Sequence, residues 1–156
     1  MTVNVNRLKH GVISGLGTKR IQYPCDNSTG AIKAGDLLWQ DGSTYLAKPL
    51  DTDAHAASFI GVAAGPSVVS SGIDNATVPA EKVVQADSEG IFSMKSTAGD
   101  TFHPGEAVYI GADAQTVTNT VGTMTHPIGY VVLPIGVLAV VGGAGVDVTV
   151  YLRANK

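Results

Sequence analysis

Lys33-Ala34-Gly35-Asp36-Leu37-Leu38-Trp39 and His103-Pro104-Gly105-Glu106-Ala107-Val108-Tyr109 follow one pattern. Each is a glycine and an acid, then two apolar residues and an aromatic. Each leads through a small turn into a second β-prone run, Tyr45-Leu46-Ala47 in the first and Thr116-Val117-Thr118 in the second. Each is then followed by an Ile-Gly strand, Phe59–Ala63 and Pro127–Val131. The Gly-acid pairs lie 70 residues apart and the Ile-Gly pairs 68. Glycine supplies the positive φ of a tight turn, and an acidic side chain can accept from the N–H groups that such a turn leaves free. Asp36 and Glu106 therefore read as turn residues and not as catalytic carboxylates. The chain divides into two related β-units, each too small to bury its apolar face alone. Gly90–Lys95 and Val146–Arg153 are expected to close one unit each, with both units sharing one core.

The flanking sequence keeps the same rhythm. Val146, Val148, Val150 and Leu152 alternate with Asp147, Thr149, Tyr151 and Arg153, the period of a half-buried strand. Short β-prone runs at Gly11–Ser14, Arg20–Tyr23, Leu37–Gln40, Thr44–Ala47, Lys82–Ala86, Ala107–Ile110, Ile128–Leu133 and Ile135–Val141 are separated by turn residues. Asp41-Gly42 predicts a hairpin between Leu37–Gln40 and Thr44–Ala47. Asp51–Ser58 alone invites a short helix, capped by Asp51 or Asp53. The expected fold is all-β: a compact barrel-like body over 31–156, preceded by an extended arm over 1–30.

Composition narrows the function. Charged residues are 15 % of the 156, against about a quarter in an ordinary soluble domain. The surface is therefore built largely from small polar residues. Residues 1–25 carry Arg7, Lys9, Lys19 and Arg20 and no acid. The remainder carries six bases against thirteen acids, net −7. An overall charge of −3 disfavours general nucleic-acid binding, and the basic end reads either as a solvated end or as an arm that docks on an acidic partner. A single cysteine, Cys25, excludes an intrachain disulfide and CxxC metal patterns. The uncharged stretch Pro127–Val146 is broken by two prolines and five glycines, so it reads as strands and not as a membrane helix.

Chemistry is sparse. Cys25 sits in a turn-like Tyr-Pro-Cys-Asp-Asn context, and none of His10, His55, His103 and His126 lies in a catalytic signature. Asp51, Asp53 and His55 offer three ligand types in five residues but lack the glycine and terminal glutamate of a calcium loop. Ala34-Gly35-Asp36-Leu37 and Gly72-Ile73-Asp74 echo the motifs of the dUTPase-type nucleotide hydrolases. The tyrosine and the glycine-rich tail of that family are missing. No catalytic, cofactor or metal site is expected.

The order of motifs resembles another family. The Gly-Asp strand (Ala34–Leu38) is followed by Ile60-Gly61-Val62-Ala63, Gly90-Ile91-Phe92, Pro104–Tyr109, Ile128-Gly129 and the closing strand Val146–Leu152. This is similar to the capsid decoration, or cement, proteins of tailed bacteriophages, over roughly residues 31–153. The basic N-terminus and the Ser- and Gly-rich insert Pro66–Ala80 depart from it. The resemblance implies a tulip-like β-barrel body and no enzymatic activity. It implies a homotrimer on the outer capsid surface of the virion that binds the major capsid protein, bridges capsomers and stabilises the mature head. No membrane or nucleic-acid partner is implied. Val3, Val5, Arg7, Lys9, Lys19 and Arg20 are the expected contacts of the arm. Thr2–Asn6 has the alternation needed to add a strand to a partner. The alternative is another virion or surface β-module, in a tail or fibre base or binding carbohydrate, which would call for an exposed aromatic platform.

Overall fold

The computed structural model of the chain describes residues 19–25, 31–69, 82–113, 115–143 and 146–155. These form thirteen strands and one short helix. In chain order they are β1 (Arg20–Pro24), β2 (Leu37–Gln40), β3 (Ala47–Pro49), α1 (Asp53–Ala56), β4 (Phe59–Ala63), β5 (Val68–Val69), β6 (Lys82–Asp87) and β7 (Glu89–Lys95). β8 (Thr101–Phe102), β9 (Ala107–Ile110), β10 (Val117–Thr118), β11 (Gly129–Val131), β12 (Val140–Val141) and β13 (Asp147–Arg153) follow. The body is all-β. Gly11–Ser14, residues 1–18 and 26–30 of the expected arm, and residues 70–80 of the insert lie outside the described residues.

The sheets reproduce the duplication. The first runs β3-β2-β4-β6-β1, with β5 also on β6; the second runs β10-β9-β11-β13-β7. Strand for strand the orders coincide, and every pairing is antiparallel. Each sheet curls until the residue after one edge strand bridges the opposite edge. Cys25 bridges Ala47 in the first, and Ser96 bridges Val117 in the second. Both turns close identically. Lys33 N–H donates to Asp36 Oδ2 and His103 N–H to Glu106 Oε2, each at 2.8 Å. Gly35 N–H donates to the Ala63 carbonyl (2.8 Å) and Gly105 N–H to that of Val131 (2.9 Å).

The Ile-Gly motif has a steric cause. A Cβ built on Gly61 would lie 2.8 Å from the carbonyl carbon of Asp87 on β6. One on Gly129 would lie 2.8 Å from that of Tyr151 on β13. The two strands press backbone against backbone, which only glycine permits.

Two clusters form the core. Leu38, Ala47, Ile60, Ala63, Val84 and Ala86 fill the first unit. Val108, Val117, Ile128, Val131, Val148 and Val150 occupy the corresponding places in the second. The opposite face of the first sheet, with Leu37, Phe59 and Val62, joins the second cluster together with Phe92 and Phe102. One layer thus serves both units, each fully buried aliphatic or aromatic side chain contributing roughly 1.5–3 kcal/mol.

Four expectations are corrected. β7 does not close the first unit: it pairs with β13, register Val150↔Phe92, and β6 with β1 closes the first. Ser88 alone separates β6 from β7, too short for a hairpin, so the chain passes directly from one sheet to the other. The strand expected at Ile135–Val141 is a turn followed by β12. Pro134 has no N–H to give to a ladder, and Gly136 takes φ +89°. The hairpin at Asp41-Gly42 is a six-residue loop, and its second strand starts at Ala47. Asp41 Oδ1 accepts from Ser43 N–H (2.8 Å), and Tyr45 takes φ 60°. The helix is capped by Thr52, whose hydroxyl accepts from His55 N–H, and not by an aspartate.

Gln115 stitches the units together. It repeats the Tyr45 position 70 residues on, with φ 73°. Its amide accepts from Leu37 N–H (2.5 Å) and donates to the carbonyls of Leu37 (3.1 Å) and Leu50 (2.9 Å). Gln115→Ala removes all three bonds at a buried strand start. It is expected to lower stability by about 2 kcal/mol, read as a lower urea midpoint at unchanged slope.

Candidate functional site

Residues 19–25, within the expected arm 1–30, belong to the body, with β1 in the first sheet. Lys19 offers its carbonyl to Ser88 N–H (2.8 Å) and Ser88 Oγ (3.0 Å). Arg20 grips Asp87 with two bonds, Nε to Oδ1 at 3.0 Å and Nη2 to Oδ2 at 3.1 Å. Asp87 is 2 % exposed, so the guanidinium serves as the counter-charge of a buried carboxylate. β1 then pairs along β6 from Arg20↔Asp87 to Pro24↔Val83 and leaves Ile21 exposed on a sheet edge. Val3, Val5, Arg7 and Lys9 lie outside the described residues. Of the expected contacts, only Lys19 and Arg20 fall on described residues, where β1 begins.

The titratable clusters tie loops. Asp53 turns away from Asp51 and His55 and accepts from Thr125 N–H (3.0 Å) and His126 N–H (3.1 Å), joining α1 to the loop before β11. Thr125 Oγ1 and Asp53 Oδ2 both approach His126 Nδ1, at 3.0 and 3.3 Å. A hydrolytic relay needs the hydroxyl and the carboxylate on opposite ring nitrogens. Here both lie at one, Nδ1, and Thr125 Oγ1 also donates to Asp53 Oδ2 (3.3 Å), so the grouping lacks the arrangement of such a relay. His103 pairs with Glu106 within its own turn (3.2 Å). Cys25 is buried at the place that Ser96 fills in the second unit. Among the described residues no group of three His, Cys, Asp or Glu could hold a metal ion. Among them, too, no helix is long and apolar enough to cross a membrane.

Trp39, Asp41, Lys48, Asp51 and His55 line an open groove of about 450 Å³. His55 stacks on the indole, ring centroids 3.6 Å apart, and its Nδ1 lies 2.5 Å from Asp51 Oδ1. Lys48 Nζ lies over the same ring and is held by Asp41 at 2.7 Å. The largest aromatic is thus engaged by its own chain and is no free platform for a sugar. Nothing in the sequence signals the Trp39–His55 stack or the Asp53–His126 tie, because both depend on loops brought together from different elements.

Asp41, Glu106 and Asp53 titrate below their usual range. The Lys48 ammonium and the Ser43 N–H lower Asp41 to about 2. The His103 N–H and the Asn119 amide lower Glu106. Burial alone would raise Asp53, but the N–H groups of Thr125 and His126 outweigh it and its pKa falls. Asp36 moves the other way, raised by burial against the Lys33 N–H. A carboxyl with a depressed folded pKa adds stability above its unfolded pKa, near 4, and loses it as pH falls through the folded value. Stability is therefore expected to be flat from neutrality to about pH 4.5 and to decline from there toward pH 2. Asp36 offsets a part of the loss. Chemical unfolding at stepped pH checks this, and Glu106→Gln should flatten the decline.

No curated protein matches the chain in sequence. A profile of the family described as phage cement protein matches residues 17–136, which take in β1, both Gly-acid turns and both Ile-Gly strands. The chain is a member of the phage cement protein family, a phage capsid-associated structural protein.

Proposed function

We propose that the chain binds the outer surface of an icosahedral phage head as a homotrimer, bridges neighbouring capsomers of the major capsid protein and stabilises the mature shell. The family match over residues 17–136 carries this reading. The mechanism is linkage. A protein that binds the assembled, expanded shell and not its precursor stabilises the former by its binding free energy, about 2.7 kcal/mol per site at a hundredfold excess over Kd. The basic arm supplies the reach, since 18 residues span up to roughly 60 Å when extended. Val3 and Val5 fit strand addition to a partner, and Arg7, Lys9 and Lys19 steer toward an acidic coat. Arg20, held by Asp87, marks where the arm leaves the body.

Bare heads pelleted with the purified protein test the reading. Saturable binding at a fixed ratio to coat protein, with heads more resistant to heat, is expected. Deleting residues 1–18, which spares Lys19 and Arg20, is expected to weaken binding by on the order of 100-fold through loss of avidity. Undiminished binding of the truncated chain would remove the arm from the mechanism, and binding to glycans in place of heads would overturn the whole assignment.

A further inference from the structure

Asp41-Gly42 is the one place in the chain where an aspartate or asparagine precedes glycine. The pair opens the loop between β2 and β3, whose residues 42–45 are exposed. A Cβ built on Gly42 would meet nothing within 4 Å. With no side chain on residue 42, nothing hinders the approach of its nitrogen to the Asp41 side chain. Among the described residues the Gly42 N–H donates no hydrogen bond, so the nitrogen is not tied down.

The carboxylate, by contrast, is held at both oxygens. Oδ1 accepts from Ser43 N–H at 2.8 Å, with Thr44 N–H farther off at 3.4 Å. Oδ2 accepts from Lys48 Nζ at 2.7 Å. Lys48 sits on β3 opposite Trp39 of β2, and its ammonium lies 5.7 Å from the centre of the indole ring. The grip on Oδ2 therefore comes from the sheet and not from the loop. We propose that Asp41-Gly42 is a site of spontaneous backbone isomerisation, and that Lys48 restrains it by holding the carboxylate. The Gly42 nitrogen attacks Asp41 Cγ and forms an N–Cγ bond. One carboxyl oxygen leaves as water, with the carboxyl proton and the proton of the amide nitrogen. Water then opens the five-membered imide. Hydrolysis at Cγ restores aspartate. Hydrolysis at the backbone carbonyl leaves Gly42 joined through Cγ, which is isoaspartate. Nothing is oxidised or reduced, and the mass is unchanged. Only a protonated carboxyl loses water readily. With Asp41 lowered to about 2, that form is on the order of 50-fold rarer above pH 4 than for an ordinary aspartate. Isomerisation would open the loop. The Asp41 carbonyl that accepts from Tyr45 N–H (2.8 Å) becomes a free carboxylate, and the backbone gains one carbon before Gly42.

Peptide mapping of the full chain after prolonged warm incubation at mildly acidic pH, with isoaspartate counted by enzymatic methylation, tests the proposal. Lys48→Met is expected to accumulate isoaspartate at residue 41 about 10-fold faster than the parent, since the Ser43 bond remains. Lys48→Arg keeps the charge and should stay near the parent rate. Lys48→Met/Gly42→Ala should fall back, because a methyl on residue 42 hinders the attack. In urea, where no sheet brings Lys48 to Asp41, the parent and Lys48→Met should react alike. No isoaspartate at residue 41 in Lys48→Met, equal rates in the folded parent and that variant, or unequal rates in urea overturns the proposal. The parent alone gives a second reading that needs no variant to fold. Folded, it should isomerise at least about 10-fold more slowly than in urea, and equal rates overturn the restraint. Neither reading depends on head binding.

Discussion

Gly61→Ala is expected to cost about 3–5 kcal/mol, a large share of the 5–15 kcal/mol that holds a domain of this kind together. Two effects add. Gly61 sits at φ +129°, which an L side chain adopts only under strain. Its new methyl would also meet the Asp87 carbonyl and, at 2.9 Å, Ser88 Cα. Neither is a flexible side-chain end, so β4 and β6 would have to separate, and with them the Val62↔Asp87 and Ala63↔Ala86 pairs. Gly35→Ala is the control. It shares a positive φ of +89°, but nothing lies within 4 Å of the added carbon. Only the backbone term remains, about 1–2 kcal/mol. Urea unfolding of the two variants side by side should separate them clearly; equal midpoints would show that the close approach of β4 to β6 contributes nothing.

Arg20→Met is expected to cost about 2–3 kcal/mol. Removing one partner of a buried ion pair typically costs 3–5 kcal/mol, because the other charge stays behind without compensation. The Arg20 side chain is 32 % exposed, so water can reach part of the site and the loss is smaller. The penalty belongs to the abandoned Asp87 carboxylate and not to the missing attraction. Arg20→Met/Asp87→Leu should therefore recover most of the stability lost by the single change. Thermal unfolding of the three proteins decides it: a double variant no better than Arg20→Met would place the loss in packing by the arginine stem.

Much of the fold was legible because two motifs carry their own geometry. The strands Leu37–Gln40, Phe59–Ala63 and Ala107–Ile110 lie where the sequence predicts them. A Gly-acid turn starts one strand of each unit, and an Ile-Gly pair marks its neighbour. What failed was tertiary. Ser88 looks like any small polar residue, yet as a one-residue junction it decides which sheet receives β7. Pro134 and Gly136 turned an apolar run into an exposed tip, which valine and isoleucine content alone reads as a strand. Gln115 carries no local signal, since its clamp on Leu37 spans 78 residues. Of the candidate contacts, Lys19 and Arg20 stood out in the sequence by their charge alone. The engagement of Arg20 by Asp87 was not legible, because Asp87 becomes a buried acid only once β1 and β6 pair.

Ser88 has one more consequence. Its N–H donates to Lys19 and its carbonyl accepts from Ala154 N–H at 2.7 Å. Lys19 and Ala154, close to the two ends of the described chain, are therefore held by the two backbone groups of one residue. A change of backbone at this one junction would loosen the first and the last described stretches of the chain together.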